Sequence, residues 1–351
     1  MHINRLFAGA VTALGVLALT ACSTGPDLAG SAKADSPSGT VTIGYFPNVT
    51  HAPAIVGLAG GEYRRALGSK VTIKTATFNS GTEEVEALFA GSIDIGFIGP
   101  SPTVTAWQKS GGAALKVIAG AAADGVDLVV RAGIHSPADL KGKTIATPSL
   151  GNTQDVAARY WLKQQGFATD AQGGGDVHIE PQDNASALTA LQTGAIDGAW
   201  VPEPWATRMV DKAGAHVLVD EADLWPGKLF VTTNVVVRTG FLKQHPQQVE
   251  DFLKGLLATL DAMKKDPNAA QQTVAAQIGA ISGSTPKPSE LASSWKNVVF
   301  TADPLAGTLA TQAQHATALG LLPKTDLTGL YDLAPLNALL TARGDRPVAG
   351  R

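Results

Sequence analysis

Five short polar stretches each follow an apolar run and precede a helical pattern. They are Asn48 to His51, Ser80-Gly81-Thr82, Ser101 to Thr103, Gly151-Asn152-Thr153, and Glu203 to Trp205. Their chemistry is that of holding an anion. The first turn of a helix presents N–H groups without partners and a partial positive charge. Hydroxyls and amides there add neutral donors. Several such turns converging on one cleft would hold a small oxyanion without a lysine or arginine. Taken singly, each polar side chain is satisfied by capping its own helix; taken together, the five predict a binding cleft. His51 either donates to an anion or sits on a helix surface. Phe46 and Trp205 are candidate cleft walls. Glu203 is the exception, because a bare carboxylate repels an anion. It must pair with a cation such as Arg208, point away, or meet a positive group on the ligand.

Catalytic and metal chemistry find little footing. Gly142-Lys143-Thr144 ends like a phosphate loop, but Pro137 stands where the first glycine must be, and the strand follows instead of preceding. No Gly-x-Ser-x-Gly elbow occurs. The seven histidines are scattered, none with a metal-ligand partner at helical spacing. The sequence therefore predicts a binding protein with no cofactor and no metal, not an enzyme.

Such loops need strands to carry them, and a duplicated unit supplies two. Residues 87–102, ALFAGSIDIGFIGPSP, return in register as residues 190–205, ALQTGAIDGAWVPEPW. In each copy a helix ends at Gly91 or Gly194, the residue type that accepts a left-handed cap. A short apolar strand follows, at 93–98 or 196–201. It lacks alternation, as expected for a strand buried on both faces of a parallel sheet. A turn then opens the next helix. In the first copy, after Gly99, Ser101 and Pro102 fit N-cap and first helical residue. Open α/β sheets bind ligands at the carboxyl ends of their strands. Two copies thus imply two facing lobes.

Further strands are predicted at 41–45, 71–78, 115–119, 143–147, 177–180, 217–219 and 229–238. Ser80 with Glu83, Asn152 with Asp155, and Asn184 mark helix starts. Helices at 247–263, 268–278, 288–295 and 304–319 complete the first lobe. The chain is expected to cross between lobes near 127–131 and to return near 229–238.

The chain has 351 residues, 44% hydrophobic and 16% charged, with a formal net charge of −3. That is room for two domains and gives no strong electrostatic pull toward nucleic acid. Residues 1–5 are positively charged. Residues 6–20 are apolar but short of the roughly 20 residues of a permanent span. Leu19-Thr20-Ala21-Cys22 resembles the lipobox of bacterial lipoproteins, whose cysteine is lipidated and becomes the first residue. The alternative is an ordinary signal peptide with an incidental cysteine. Cys22 is the only cysteine, so no disulfide forms within the chain. Residues 23–40, rich in Ser, Gly, Ala and Pro, predict a flexible tether.

Four segments carry a wider resemblance: GYFPNVTHAPAIVGLAGGEY, FNSGTEEVEALFAGSIDIGFIGPSP, DLKGKTIATPSLGNTQDVAARYWLKQQG and DGAWVPEPWA. In this order, over residues 41–325, the chain resembles the substrate-binding lipoproteins of the nitrate, sulfonate and taurine family of ABC importers. The resemblance implies the α/β type II periplasmic binding protein fold, with two lobes, two hinge crossings and a ligand cleft. Residues 1–22 are then the signal peptide with lipidated Cys22. Residues 41–128 with 232–351 form the first lobe, and 129–231 the second. The implied role is a lipid-anchored, extracytoplasmic, monomeric receptor that delivers a small anion to an ABC permease and its ATPase subunits. Ligand contacts are implied at Phe46, Asn48, His51, Ser80, Gly81, Thr82, Gly99, Ser101, Asn152, Thr153, Glu203 and Trp205. An aliphatic sulfonate is the leading ligand; nitrate, taurine and thiamine-pyrimidine precursors are alternatives. Glu203-Pro204-Trp205 resembles nitrate-type relatives, whereas residues 151–155, GNTQD, resemble sulfonate-type ones. A pyrimidine-synthase-like enzyme of the same fold would need a clustered His or Cys iron site, which this sequence lacks.

Overall fold

The computed structural model describes residues 39–350. Residues 1–38 and Arg351 lie outside the described residues, and with them the apolar run, Cys22 and nearly all of the expected tether. Gly39 and Thr40, expected as tether, instead open a strand and pair with Val71 and Thr72.

Among the described residues eleven strands form two sheets. The first six are β1 Gly39–Tyr45, β2 Val71–Thr77, β3 Ile95–Ile98, β4 Leu115–Asp124, β5 Val126–Val130 and β6 Thr144–Thr147. The others are β7 His178–Pro181, β8 Gly198–Pro202, β9 His216–Asp220, β10 Val231–Arg238 and β11 Val298–Phe300. One sheet has the order β11-β4-β10-β3-β1-β2, the other β7-β6-β8-β5-β9.

The duplicated strands are β3 and β8, both buried along their whole length. Their neighbours differ from expectation. Each has a parallel partner on one side, β1 or β6, and an antiparallel partner on the other, β10 or β5. The cause is topological: β5 and β10 enter their sheets from the crossings, at the cleft edge, and run back. Asp94 and Asp197 show the duplication at atomic level. Each carboxylate accepts from the backbone N–H of the parallel neighbour, Thr42 at 3.0 Å or Thr144 at 2.9 Å. Each also pairs with an arginine of the antiparallel neighbour's edge, Arg238 at 2.7 Å or Arg131 at 2.5 Å.

The crossing is tighter than the sequence suggested. Residues 127–130 already lie in β5, so the expected boundary at 128/129 falls inside a strand of the second sheet. The chain passes over at Gly125. Asp124 and Gly125 both hold left-handed φ, 59° and 70°, a conformation that glycine takes without penalty. A Cβ on Gly125 would also strike Val298. The return runs through Phe230. Its N–H donates to Asp124 Oδ1 at 3.0 Å, and Asp124 N–H donates to Phe230 O at 3.0 Å. The two crossings are therefore bonded to each other.

Side chains alternate across each strand, so each sheet has apolar packing on both faces. On β10, Val235 and Val237 join Phe252 and Leu256 of the helix Pro246–Lys265, while Val236 joins Val104 and Leu309. In the second sheet Leu128 and Val130 join Trp161 and Trp200, and Val129 joins Leu191 and Met209. Among the described residues no helix is long and apolar enough to cross a membrane.

Candidate functional site

The loops that leave β1, β3, β6 and β8 are joined across the two lobes. After β1 the chain turns through Phe46 to Asn48 into the short helix Val49–His51. Asn48 Oδ1 accepts from Trp205 Nε1–H at 2.9 Å, and Val49 N–H donates to Glu203 O at 3.1 Å. His51 is buried and stacks on Phe46 with ring centroids 4.4 Å apart. Burial pushes its pKa down to about 3, so the imidazole is neutral near pH 7. Its Nδ1 accepts from Phe46 N–H at 3.3 Å. That places the ring proton on Nε2, a neutral donor.

After β3, Gly99 N-caps the helix Pro100–Lys109. Ser101 is not the cap that the sequence suggested. Pro100 lacks an N–H and takes the first helical position, which moves Ser101 into the first turn. Its buried hydroxyl has no partner among the described residues. Ser101 N–H donates to Thr153 Oγ1 of the other lobe at 3.4 Å. A Cβ on Gly99 would collide with that same oxygen, so the glycine permits the approach. Ser80 caps the helix Gly81–Phe89 through Glu83 N–H at 3.5 Å. Gly81 leaves room for Pro102. Thr82 is exposed.

In the second lobe, Asn152 Oδ1 accepts from Asp155 N–H at 2.9 Å and its amide donates to Gln154 at 3.3 Å. It is engaged by its own helix, Thr153–Gln164, and Thr153 is the residue that meets the first lobe. Glu203 does not pair with Arg208, which pairs with Glu290. Glu203 Oε1 accepts from Asn297 Nδ2–H at 2.7 Å and Thr207 Oγ1–H at 2.8 Å, and Oε2 from Thr207 N–H at 3.2 Å. Burial raises its pKa, and the bonds from Asn297 and Thr207 pull against that.

Three polar groups that the sequence did not single out for a ligand lie after β6 and β7. Ser149 Oγ, Gln182 Nε2 and Asn184 Oδ1 are buried atoms without hydrogen-bond partners among the described residues. Asn184 was the expected helix cap. Asp183 holds that place, accepting from Ala185 and Ser186 N–H at 3.1 and 2.9 Å, which frees Asn184. On β10, opposite Ile98, fully buried Asn234 leaves both amide atoms without a partner among the described residues.

Two spaces adjoin these loops. One, of about 40 Å³, lies among Phe46, Asn48, Asn184 and Trp205. The other, of about 480 Å³, combines Thr82, Ser101 and Gly151 with apolar walls from both lobes, Val104, Val156, Ala316 and Leu322. No group of three or more His, Cys, Asp or Glu among the described residues could hold a metal ion.

The sequence profile of the NMT1-like family matches residues 34–279, which include both crossings and all the joined loops. This chain belongs to that family. This NMT1-like chain is 30% identical over 217 residues to the taurine-binding periplasmic protein of Escherichia coli (strain K12), across 62% of this chain and 64% of that protein. It thus spans just under two thirds of that relative's length. Solved structures share the fold more widely. The alkanesulfonate-binding protein from Xanthomonas axonopodis pv. citri superposes with a TM-score of 0.69 at 20% identity, covering 83% of this chain and 96% of that one. The periplasmic nitrate-binding protein from Synechocystis PCC 6803 gives 0.71 at 15% identity, with 87% and 89% covered. The fold is that of the periplasmic binding proteins, two α/β lobes around a cleft.

Proposed function

We propose that this chain is the extracytoplasmic solute-binding component of an ABC importer. It captures a small anion, foremost an aliphatic sulfonate, between its lobes and passes it to a permease served by ATPase subunits. The groove beside Ser101 carries this reading. It sets a buried, unpartnered hydroxyl and a helix N-terminus next to apolar walls from both lobes. Sulfonate oxygens suit the hydroxyl and the positive end of the helix dipole, and an alkyl chain suits Val104, Val156, Ala316 and Leu322. Similarity to a taurine-binding protein in sequence, and to sulfonate- and nitrate-binding proteins in fold, supports the same ligand class. Binding here involves no catalytic step. Thermal-shift measurements with ethanesulfonate, hexanesulfonate, taurine, nitrate and thiamine-pyrimidine precursors test it. A sulfonate at a hundredfold excess over Kd is expected to stabilise the chain by about 2.7 kcal/mol. The absence of a shift with every small anion would overturn the reading.

The protein is anchored at the outer face of a membrane through lipid on Cys22, a reading supported by the sequence Leu19-Thr20-Ala21-Cys22. Cys22→Ala is expected to move the protein out of the membrane fraction with ligand binding intact. Retention of the variant in the membrane would mean that residues 6–20 hold it there.

A further inference from the structure

Away from the groove, the start of the helix Trp205–Ala213 is gripped by the first lobe on two sides. On one side the Arg208 guanidinium forms an ion pair with Glu290 of the helix Pro288–Lys296; the two side chains are only 3% and 2% exposed. Asn297, just past that helix, donates to Glu203 Oε1 at 2.7 Å. On the other side Trp205 Nε1–H donates to Asn48 Oδ1, and Val49 N–H donates to Glu203 O. Arg208 itself lies over the Trp205 ring, 4.9 Å from its centroid. The contacts run without a break from Glu290 through Arg208 and Trp205 to Asn48.

A buried ion pair adds little net stability, because desolvation offsets much of the attraction. Its effect is on geometry. Here the two charges belong to different lobes, so they lose their water only as the lobes meet. With both present, closure buries a matched pair. With one removed, closure must bury a lone charge. We propose that Arg208 and Glu290, with Asn297, are positioning residues. They form an inter-lobe clasp that holds Trp205 against the Asn48 loop, and so retain a cleft ligand that they do not touch. The retention half of this rests on the ligand cleft proposed above.

Two readouts test it, one of them independent of ligand. Hydrogen exchange at the Val49 amide reports the cross-lobe bond, and stopped-flow dissociation of ethanesulfonate reports retention. Glu290→Gln is expected to abolish protection of Val49 while the β10 amides stay protected. It should also raise the dissociation rate about tenfold or more with little change in association. The apolar double variant Arg208→Met with Glu290→Leu leaves no charge to bury and is expected to restore both. Should Glu290→Gln fail to fold, the double variant decides, by keeping or losing Val49 protection. Unchanged Val49 protection and dissociation in folded Glu290→Gln would overturn the clasp. So would a double variant that behaves like the single one. If wild-type protein does not bind ethanesulfonate, the ligand reading falls and the Val49 amide still decides the clasp.

Discussion

Glu203 receives three donors, from Asn297, from the Thr207 hydroxyl and from the Thr207 backbone. A ligand ammonium would have to compete with all of them. Glu203→Gln keeps an acceptor for Asn297 and the Thr207 hydroxyl but turns an NH₂ toward Thr207 N–H. Donor then faces donor, which costs about 1–3 kcal/mol when buried. The variant is therefore expected to melt earlier and to weaken ethanesulfonate and taurine by the same factor. A loss confined to taurine would make Glu203 a ligand group instead. The sequence showed that polar residues crowd these helix starts, but not which of them stay free. That depends on one-residue contests: Pro100 moves the cap from Ser101 to Gly99, and Asp183 takes the cap from Asn184. Only the fold shows that Ser101 and Asn184 thereby keep buried oxygens without a partner among the described residues. Arg208 was legible as a possible partner of Glu203. Its real partner, Glu290, is distant in sequence and carries no local signal.

At the scale of elements, the repeated Ile-Asp strands were readable because burial on both faces removes alternation, and a terminal glycine marks each preceding helix. Asp94 and Asp197 explain why the repeat keeps its aspartate. Each joins a backbone N–H of one neighbouring strand to an arginine on the other side, so it fixes the central strand's place in the sheet. Strand direction was not readable from that pattern. A strand with one parallel and one antiparallel neighbour buries the same residues as one with two parallel neighbours. β11, Val298–Phe300, is too short for period-two alternation to register, and its place comes from pairing with β4. The helix Ala334–Ala342 did carry a signal, Leu336 and Leu340 four apart and both buried. The crossing was expected slightly late, near 127–131, because it is a conformation of two residues and not a linker: Asp124 and Gly125 turn the chain with no change in composition.

In the whole molecule, that economy crowds carboxylates at the junction of the two lobes. Asp127 faces Asp220 directly across β5 and β9. Burial, then the charges of Glu203, Asp220 and Glu221, push its pKa up to about 8. Glu221, buried beneath the indole N–H groups of Trp200 and Trp225, rises to about 7. Asp124 rises to about 6, chiefly by burial. Each of these acids holds its proton more tightly in the folded chain than in the unfolded one, where carboxyls titrate near ~4. The folded state then binds more protons than the unfolded state between those values, and stability falls as pH rises. The contribution is fully present below about pH 4 and is lost as pH climbs through 6, 7 and 8, by up to about 1.4 kcal/mol per pH unit for each proton involved. Asp127→Asn removes the group with the highest of these pKa values and leaves a neutral side chain of the same shape. Its melting temperature is expected to fall less than that of the wild type between pH 6 and pH 9, with the two curves converging toward low pH, where Asp127 is protonated in both states. Parallel curves across that range would mean that Asp127 is already ionised in the folded chain and that the junction tolerates its charge.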